Sequence, residues 1–210
     1  MAQHDKPATT GLGAFGMNCT LKHGPETSST QKILDQLLRA LRSHGVETSA
    51  TRVVDHDIKP GVKADEGKGD EWPALRRKVL DANILVMATP IWMGQPSSVV
   101  KRVLERMDAF LGEIDEQGRY PTFGRVAIVA VVGNEDGAHH VTAELYQALA
   151  DVGFTIPAGS SAYWVGEAMG SVNYVDLEKT PSKLDQTIRT LASNAAHLAG
   201  LLKQQPYPAP

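Results

Sequence analysis

The chain is predicted to fold as an α/β domain, a parallel sheet wound on both faces by helices. Three observations predict it. Five short β-type runs alternate with five amphipathic helical stripes. Two of the runs, Asn83–Thr89 and Arg125–Val132, are apolar at nearly every position, which is the pattern of central strands covered on both faces. Each gap between runs is long enough for a helical crossover, which parallel pairing requires.

The expected strands are Leu12–Cys19, Val46–Val54, Asn83–Thr89, Arg125–Val132 and Phe154–Ala158, the second being polar enough for an edge. The first helix carries Ile33, Leu34, Leu37, Leu38 and Leu41 on one stripe. Ser28, Ser29 or Thr30 opens it and Gly45 closes it. Trp72–Leu80 forms a shorter helix. Val99, Val100, Val103, Leu104 and Met107 make the third stripe, capped by Ser97 or Ser98, and Val141, Leu145, Leu149 and Val152 make the fourth. The last runs from Leu184 to Leu202, with Pro181 at its first turn. One domain over residues 11–203 is expected, with flexible ends at 1–10 and 204–210. The segment Asp57–Asp70 is expected to be a polar surface loop.

Composition narrows the function classes. In 210 residues, 21 Lys and Arg stand against 24 Asp and Glu, a net charge of −3 that recommends neither nucleic acid nor an anionic membrane as partner. The single cysteine, Cys19, excludes a disulfide framework and a multi-cysteine metal or iron–sulfur centre. No apolar leader opens the sequence and no apolar run approaches the ~20 residues of a membrane span, so the expected location is cytoplasmic.

Gly11, Gly13 and Gly16 spell G-x-G-x-x-G, but that fingerprint works only after a strand and at the start of a helix. Here almost nothing precedes it and Ala14–Cys19 continues as a strand, so it is set aside. The stronger signal is the next turn, Asn18–Thr30. It is rich in hydroxyls and leads into a helix, where free N–H groups and Thr or Ser hydroxyls suit a phosphomonoester. No G-x-x-x-x-G-K-[ST] is present, Pro25 stands six residues after Cys19 where a C-x5-R phosphatase needs Arg, and no strand-end Asp offers a phosphoacceptor.

A second site, Ala88–Ser98, lies at the carboxyl end of the third strand with a Pro90 turn, an aromatic and a glycine, the makings of an edge for a flat ring. A third, Gly133–His140, ends the fourth strand with a polar glycine-bracketed turn. His139 and His140 are adjacent, so on a helix they diverge by about 100° and do not chelate one ion. No metal site is expected, and Cys19 is expected to be packed.

Together the stretches Ala88–Phe110, Val132–His140 and Asn18–Thr30 resemble the flavodoxin-like NAD(P)H-dependent FMN reductase family, over about Gly13–Ala158. The resemblance implies a five-stranded parallel sheet in the order 2-1-3-4-5, with helices on both faces. It implies that Thr20, Lys22, Ser28, Ser29 and Thr30 hold the FMN phosphate. Pro90, Ile91, Trp92, Met93, Gly94 and Gln95 line one side of the ring. Gly133, Asn134, Glu135, Asp136, Gly137 and His139 line the other. Members often carry Asn where this chain has Ser29.

The resemblance further implies a homodimer or homotetramer, with Leu111–Phe123 and Tyr163–Trp164 as contributors to the interface. It implies hydride transfer from NAD(P)H to FMN, and then electrons to a small acceptor such as a quinone or another flavin. The flavin carries that chemistry, so no side chain is assigned as catalytic. The competing expectations are a flavodoxin-like electron carrier, or an FMN-binding or sensory scaffold, without its own NAD(P)H turnover. Such carriers are usually strongly acidic, which a net of −3 does not match.

Overall fold

A computed structural model describes residues 10–159 and 161–208. Its strands are β1 (Gly13–Asn18), β2 (Glu47–Arg52), β3 (Ile84–Trp92), β4 (Gln95–Pro96), β5 (Val126–Gly133) and β6 (Ala162–Val165). Its α-helices are α1 (Ser29–Arg42), α2 (Trp72–Asp81), α3 (Ser98–Met107), α4 (Ala138–Asp151) and α5 (Ser182–Gln204). The parallel sheet runs β2-β1-β3-β5-β6, and the two-residue β4 folds back antiparallel on the end of β3. Leaving β4 uncounted, this is the order 2-1-3-4-5 that the resemblance implies.

The period of two along each strand divides the core in two. Phe15, Met17, Leu85, Met87, Val129 and Val131 face α2, α3 and α4, where Trp72, Leu75, Val100, Val103, Val141 and Leu145 cover them. Ala14, Ile84, Val86, Ile128 and Ala130 face α1 and α5 and meet Ile33, Leu37, Ile188 and Leu191. Each such buried aliphatic side chain contributes roughly 1.5–3 kcal/mol, so both helical layers are held by apolar area. Gly16 belongs to this packing. A Cβ there would lie 2.9 Å from Leu34 Cδ1 and 3.1 Å from Leu38 Cδ1. The glycine lets α1 approach the sheet.

Two boundaries differ from the sequence expectation, each for a backbone reason. The fifth strand does not form over Phe154–Ala158. Thr155 exchanges hydrogen bonds with Arg125 and Ala127 and makes an isolated bridge to Val126. Pro157, which has no N–H, and Gly159, at φ +107°, then interrupt the ladder until β6 resumes it. The third strand does not stop at Thr89. It continues through Pro90, paired with Val132, to Trp92. The turn falls one step later, at Met93 (φ +53°) and Gly94 (φ +72°) between the paired Trp92 and Gln95. Two positive φ values in a two-residue turn give the hairpin whose twist matches its strands.

The segment Asp57–Asp70 is clamped from below by α3. Arg106, fully buried, donates to the carbonyls of Lys59 and Lys63 and to the Asp70 carboxylate. At the other end of the chain, Tyr207 follows α5 and rests its ring edge-on to Phe123, with its hydroxyl 3.0 Å from that of Thr155. Of the expected flexible N-terminus 1–10, residues 1–9 lie outside the described ones, as do residues 209 and 210 of the tail, while Thr10 N donates to the Gly45 carbonyl.

Candidate functional site

Parallel pairing sends the carboxyl ends of β1, β3 and β5 to one edge of the sheet, and their following loops enclose a cleft of about 530 Å³. That is within the size range of small-molecule sites. From the first loop it is lined by Thr20, Lys22, Ser28, Ser29 and Thr30, from the second by Pro90, Ile91, Trp92 and Met93, and from the third by Gly133, Asn134 and Glu135. Residues far apart in sequence are thus brought together at one sheet end.

The β1–α1 loop is an array of donors. Ser28 is the N-cap of α1, its Oγ accepting from Gln31 N. Among the described residues the N–H groups of Ser29 and Thr30 have no partner within the protein, as first-turn amides do not. The Thr20 hydroxyl accepts from Lys22 N, and the Ser29 hydroxyl from Val175 N, so each retains its own proton to donate. The helix start adds a favourable field for an anion. Lys22 reaches back to the Thr27 carbonyl at 3.2 Å. On the outer side of the loop, the Gly24 N–H holds the Asp55 carboxyl below its usual range, with His23 assisting.

The opposite wall is apolar and stiff. Ile91 is buried while Trp92 and Met93 stand exposed at the mouth. The Glu135 carboxylate accepts from Met93 N at 2.9 Å and Gly94 N at 3.1 Å, bridging the hairpin to the β5–α4 loop. Behind this bridge the two loops touch through backbone. A Cβ on Gly137, itself at φ +123°, would lie 2.9 Å from Gly94 Cα.

A fourth segment completes the cleft and was not anticipated from the sequence. Met169, Gly170, Asn173 and Val175 line it too, as do Leu21, Thr27 and Val132. Asn134 holds this segment, its carbonyl accepting from Met169 N and its Nδ2 donating to the Gly170 carbonyl. Lys32 holds the other end by donating to the carbonyls of Tyr174, Val175 and Leu177. Met93 and Met169 are the two non-glycine residues at positive φ among the described ones, and both lie on this cleft. Such strain gathers at ligand sites. The usable signal was the Gly166–Gly170 spacing after the last strand, too weak in isolation.

Gly94, Gln95, Asp136, Gly137 and His139 stand outside the lining. The hairpin turns Gln95 away, to within 3.2 Å of His140. Gly94 and Gly137 abut each other behind the wall. Asp136 accepts from Gly137 N, and His139 meets the Tyr163 hydroxyl at 3.1 Å. Cys19 is buried below the cleft, and burial pushes its thiol pKa well up, which suits packing.

One end of the cleft therefore offers hydroxyls and free amides, and the rest offers apolar walls from Ile91, Trp92, Met93, Val132, Met169 and Val175. That donor set fits a phosphate carrying a flat ring. The model of the family described as NADPH-dependent FMN reductase matches residues 16–170. This chain belongs to that family. FMN with NAD(P)H, the pair expected above, is the cofactor set of NADPH-dependent FMN reductases.

Three similarities are informative. A Streptomyces davaonensis protein, 8-demethyl-8-aminoriboflavin-5'-phosphate synthase, is 33% identical over 208 residues, 93% of this chain and 80% of that protein. A solved structure of RosB with its bound intermediate, 8-demethyl-8-formylriboflavin-5'-phosphate, matches at TM-score 0.85 and 33% identity, over 93% of this chain and 82% of that one. A Mycobacterium bovis protein, divalent metal cation transporter MntH, is 40% identical over 204 residues, 94% of this chain, and the chain spans 30% of its length. The fold is flavodoxin-like. Among the described residues no helix is long and apolar enough to cross a membrane.

Proposed function

We propose that the protein is an FMN-dependent NAD(P)H oxidoreductase that passes electrons to a small acceptor such as a quinone or a free flavin. The observation that carries this reading is the pairing, in one cleft, of a donor-rich helix start with a strapped apolar wall. Bound FMN would supply the hydride and electron chemistry. The protein's part is to hold and orient. Thr20, Ser28, Ser29 and Thr30 would bind the phosphate, with Lys22 at the rim. Pro90, Ile91, Trp92 and Met93 would flank one side of the ring, and Gly133, Asn134 and Glu135 the other. Gly94, Gln95, Asp136, Gly137 and His139 would support these loops from behind. The exposed Trp92 and Met169 leave an open mouth through which a nicotinamide and then an acceptor can reach the ring. The reading includes a cytoplasmic location and a homo-oligomer.

Purified protein is expected to carry, or take up, one FMN, seen in its visible absorbance, and to bleach on anaerobic addition of NADH or NADPH. A colourless protein that ignores added FMN refutes it. Flavin uptake without bleaching in a stopped-flow mix favours a carrier instead.

A second reading is favoured by the similarity to the Streptomyces davaonensis synthase and to RosB with its 8-formyl flavin phosphate. In it the flavin phosphate is the substrate and its 8-position is altered. Mass spectrometry of FMN recovered after aerobic incubation separates the two. An unchanged flavin mass supports the oxidoreductase, and a changed one supports the second reading.

A further inference from the structure

Arg52, the last residue of β2, is half-buried and outside the cleft lining. Its Nη1 lies 3.3 Å from the Lys22 carbonyl, 2.7 Å from that of His23 and 3.0 Å from that of Glu26. Lys22 in turn takes the Thr27 carbonyl. Two cations therefore engage the carbonyl oxygens of Lys22, His23, Glu26 and Thr27 in one short loop. In a trans peptide the N–H points opposite to its C=O. Where the Glu26 carbonyl is drawn to Arg52, the N–H of Thr27 is turned the other way, and Thr27 lines the cleft. Arg52 thus holds three of the loop's acceptors, the carbonyls of Lys22, His23 and Glu26, on its own side, away from the cleft lining.

This segregation matters for an anion. A carbonyl oxygen facing a phosphate repels it, and a mobile loop samples such orientations. A guanidinium engaging three carbonyls removes them, with charge-assisted bonds that outlast ordinary loop motion. We propose that Arg52 is a positioning residue that sets the preference of the cleft for a phosphorylated over an unphosphorylated flavin, by holding the acceptors of the β1–α1 loop away from the phosphate. The proposal rests on the flavin reading above.

The test compares dissociation constants of FMN and riboflavin, by flavin-fluorescence quenching, for flavin-stripped wild type and Arg52→Met. The expected result is FMN affinity lowered ~10-fold, riboflavin affinity within about twofold, and the same difference in about 0.5 M KCl, where long-range charge effects are screened. Equal weakening of both flavins, an unchanged FMN preference, or a difference that vanishes in salt overturns it. If Arg52→Met does not fold, Arg52→Gln, which keeps one donor, is expected to give an intermediate preference, and a wild-type preference there overturns the proposal. A wild type that binds neither flavin sinks the flavin reading. The claim about Arg52 then rests on inorganic phosphate, which should raise Tm in the wild type and less in the variant. Equal shifts, or no shift in either, overturn it.

Discussion

The Arg106 guanidinium and the Asp70 carboxylate meet at 2.8 Å with neither side chain exposed to solvent. They lie on the side of the sheet covered by α2, α3 and α4, and neither lines the cleft. Burial pushes the Asp70 carboxyl pKa up. The Arg106 guanidinium and the N–H groups of Glu66, Trp72 and Lys59 outweigh that and hold it well below the usual carboxylate range.

Asp70→Asn is expected to destabilise the fold by ~3–5 kcal/mol, because it leaves a buried guanidinium without its counter-charge. Urea unfolding at neutral pH measures this. A carboxyl with a depressed folded pKa stabilises fully above its unfolded value, about pH 4, and that contribution drains as acid is added below it. The wild type should therefore lose stability steeply below about pH 4, and Asp70→Asn less steeply. Parallel acid limbs would contradict this assignment.

Glu135 spans the two walls by accepting from Met93 and Gly94 N–H. A carboxylate in the cleft wall disfavours added negative charge on a bound ring. Glu135→Gln is expected to raise the two-electron midpoint potential of the bound flavin by on the order of tens of millivolts. Glu135→Ala, which also frees the hairpin, should weaken flavin binding. Spectroelectrochemistry and a flavin titration read the two effects, and an unchanged potential in Glu135→Gln counts against the charge effect.

Lys32 donates to three carbonyls of the segment that closes the cleft and stands 5.0 Å from the Tyr174 ring centroid. Lys32→Met should loosen residues 173–177 while leaving the core intact. Hydrogen exchange there is expected to quicken ~10-fold or more, with little change in global Tm. Uniform quickening across the sheet would assign Lys32 to global stability instead.

The fold was legible because burial on both faces leaves a plain mark. The apolar runs around Val86 and Val129 could only be central strands, and the leucines of α1 and α5 repeat at helical spacing. The hydroxyl-rich run up to Thr30 was legible as a helix start, since Ser and Thr there cap the first turn, as Ser28 does. Local breaks were less so. Pro90 suggested a turn, yet at the sheet end its missing N–H costs nothing, and the strand runs on to Trp92. Phe154–Ala158 has strand composition, but Pro157 and Gly159 spoil its ladder. The wall at Met169–Val175 left no periodicity, because its position comes from Asn134 and Lys32 on distant elements. His139 looked like a lining residue until Tyr163 supplied its partner.

The backbone-to-backbone seam between Gly94 and Gly137 has an implication for how this family can diversify. The gap between those two loops is gauged by main chain, which point substitutions elsewhere leave alone. The residues that line the cleft, such as Trp92 and Met169, can be exchanged without resetting that gauge. Ligand choice can therefore drift through surface texture while aperture stays constant. A side chain at Gly137, by contrast, would run into the main chain of Gly94 and force the loops apart.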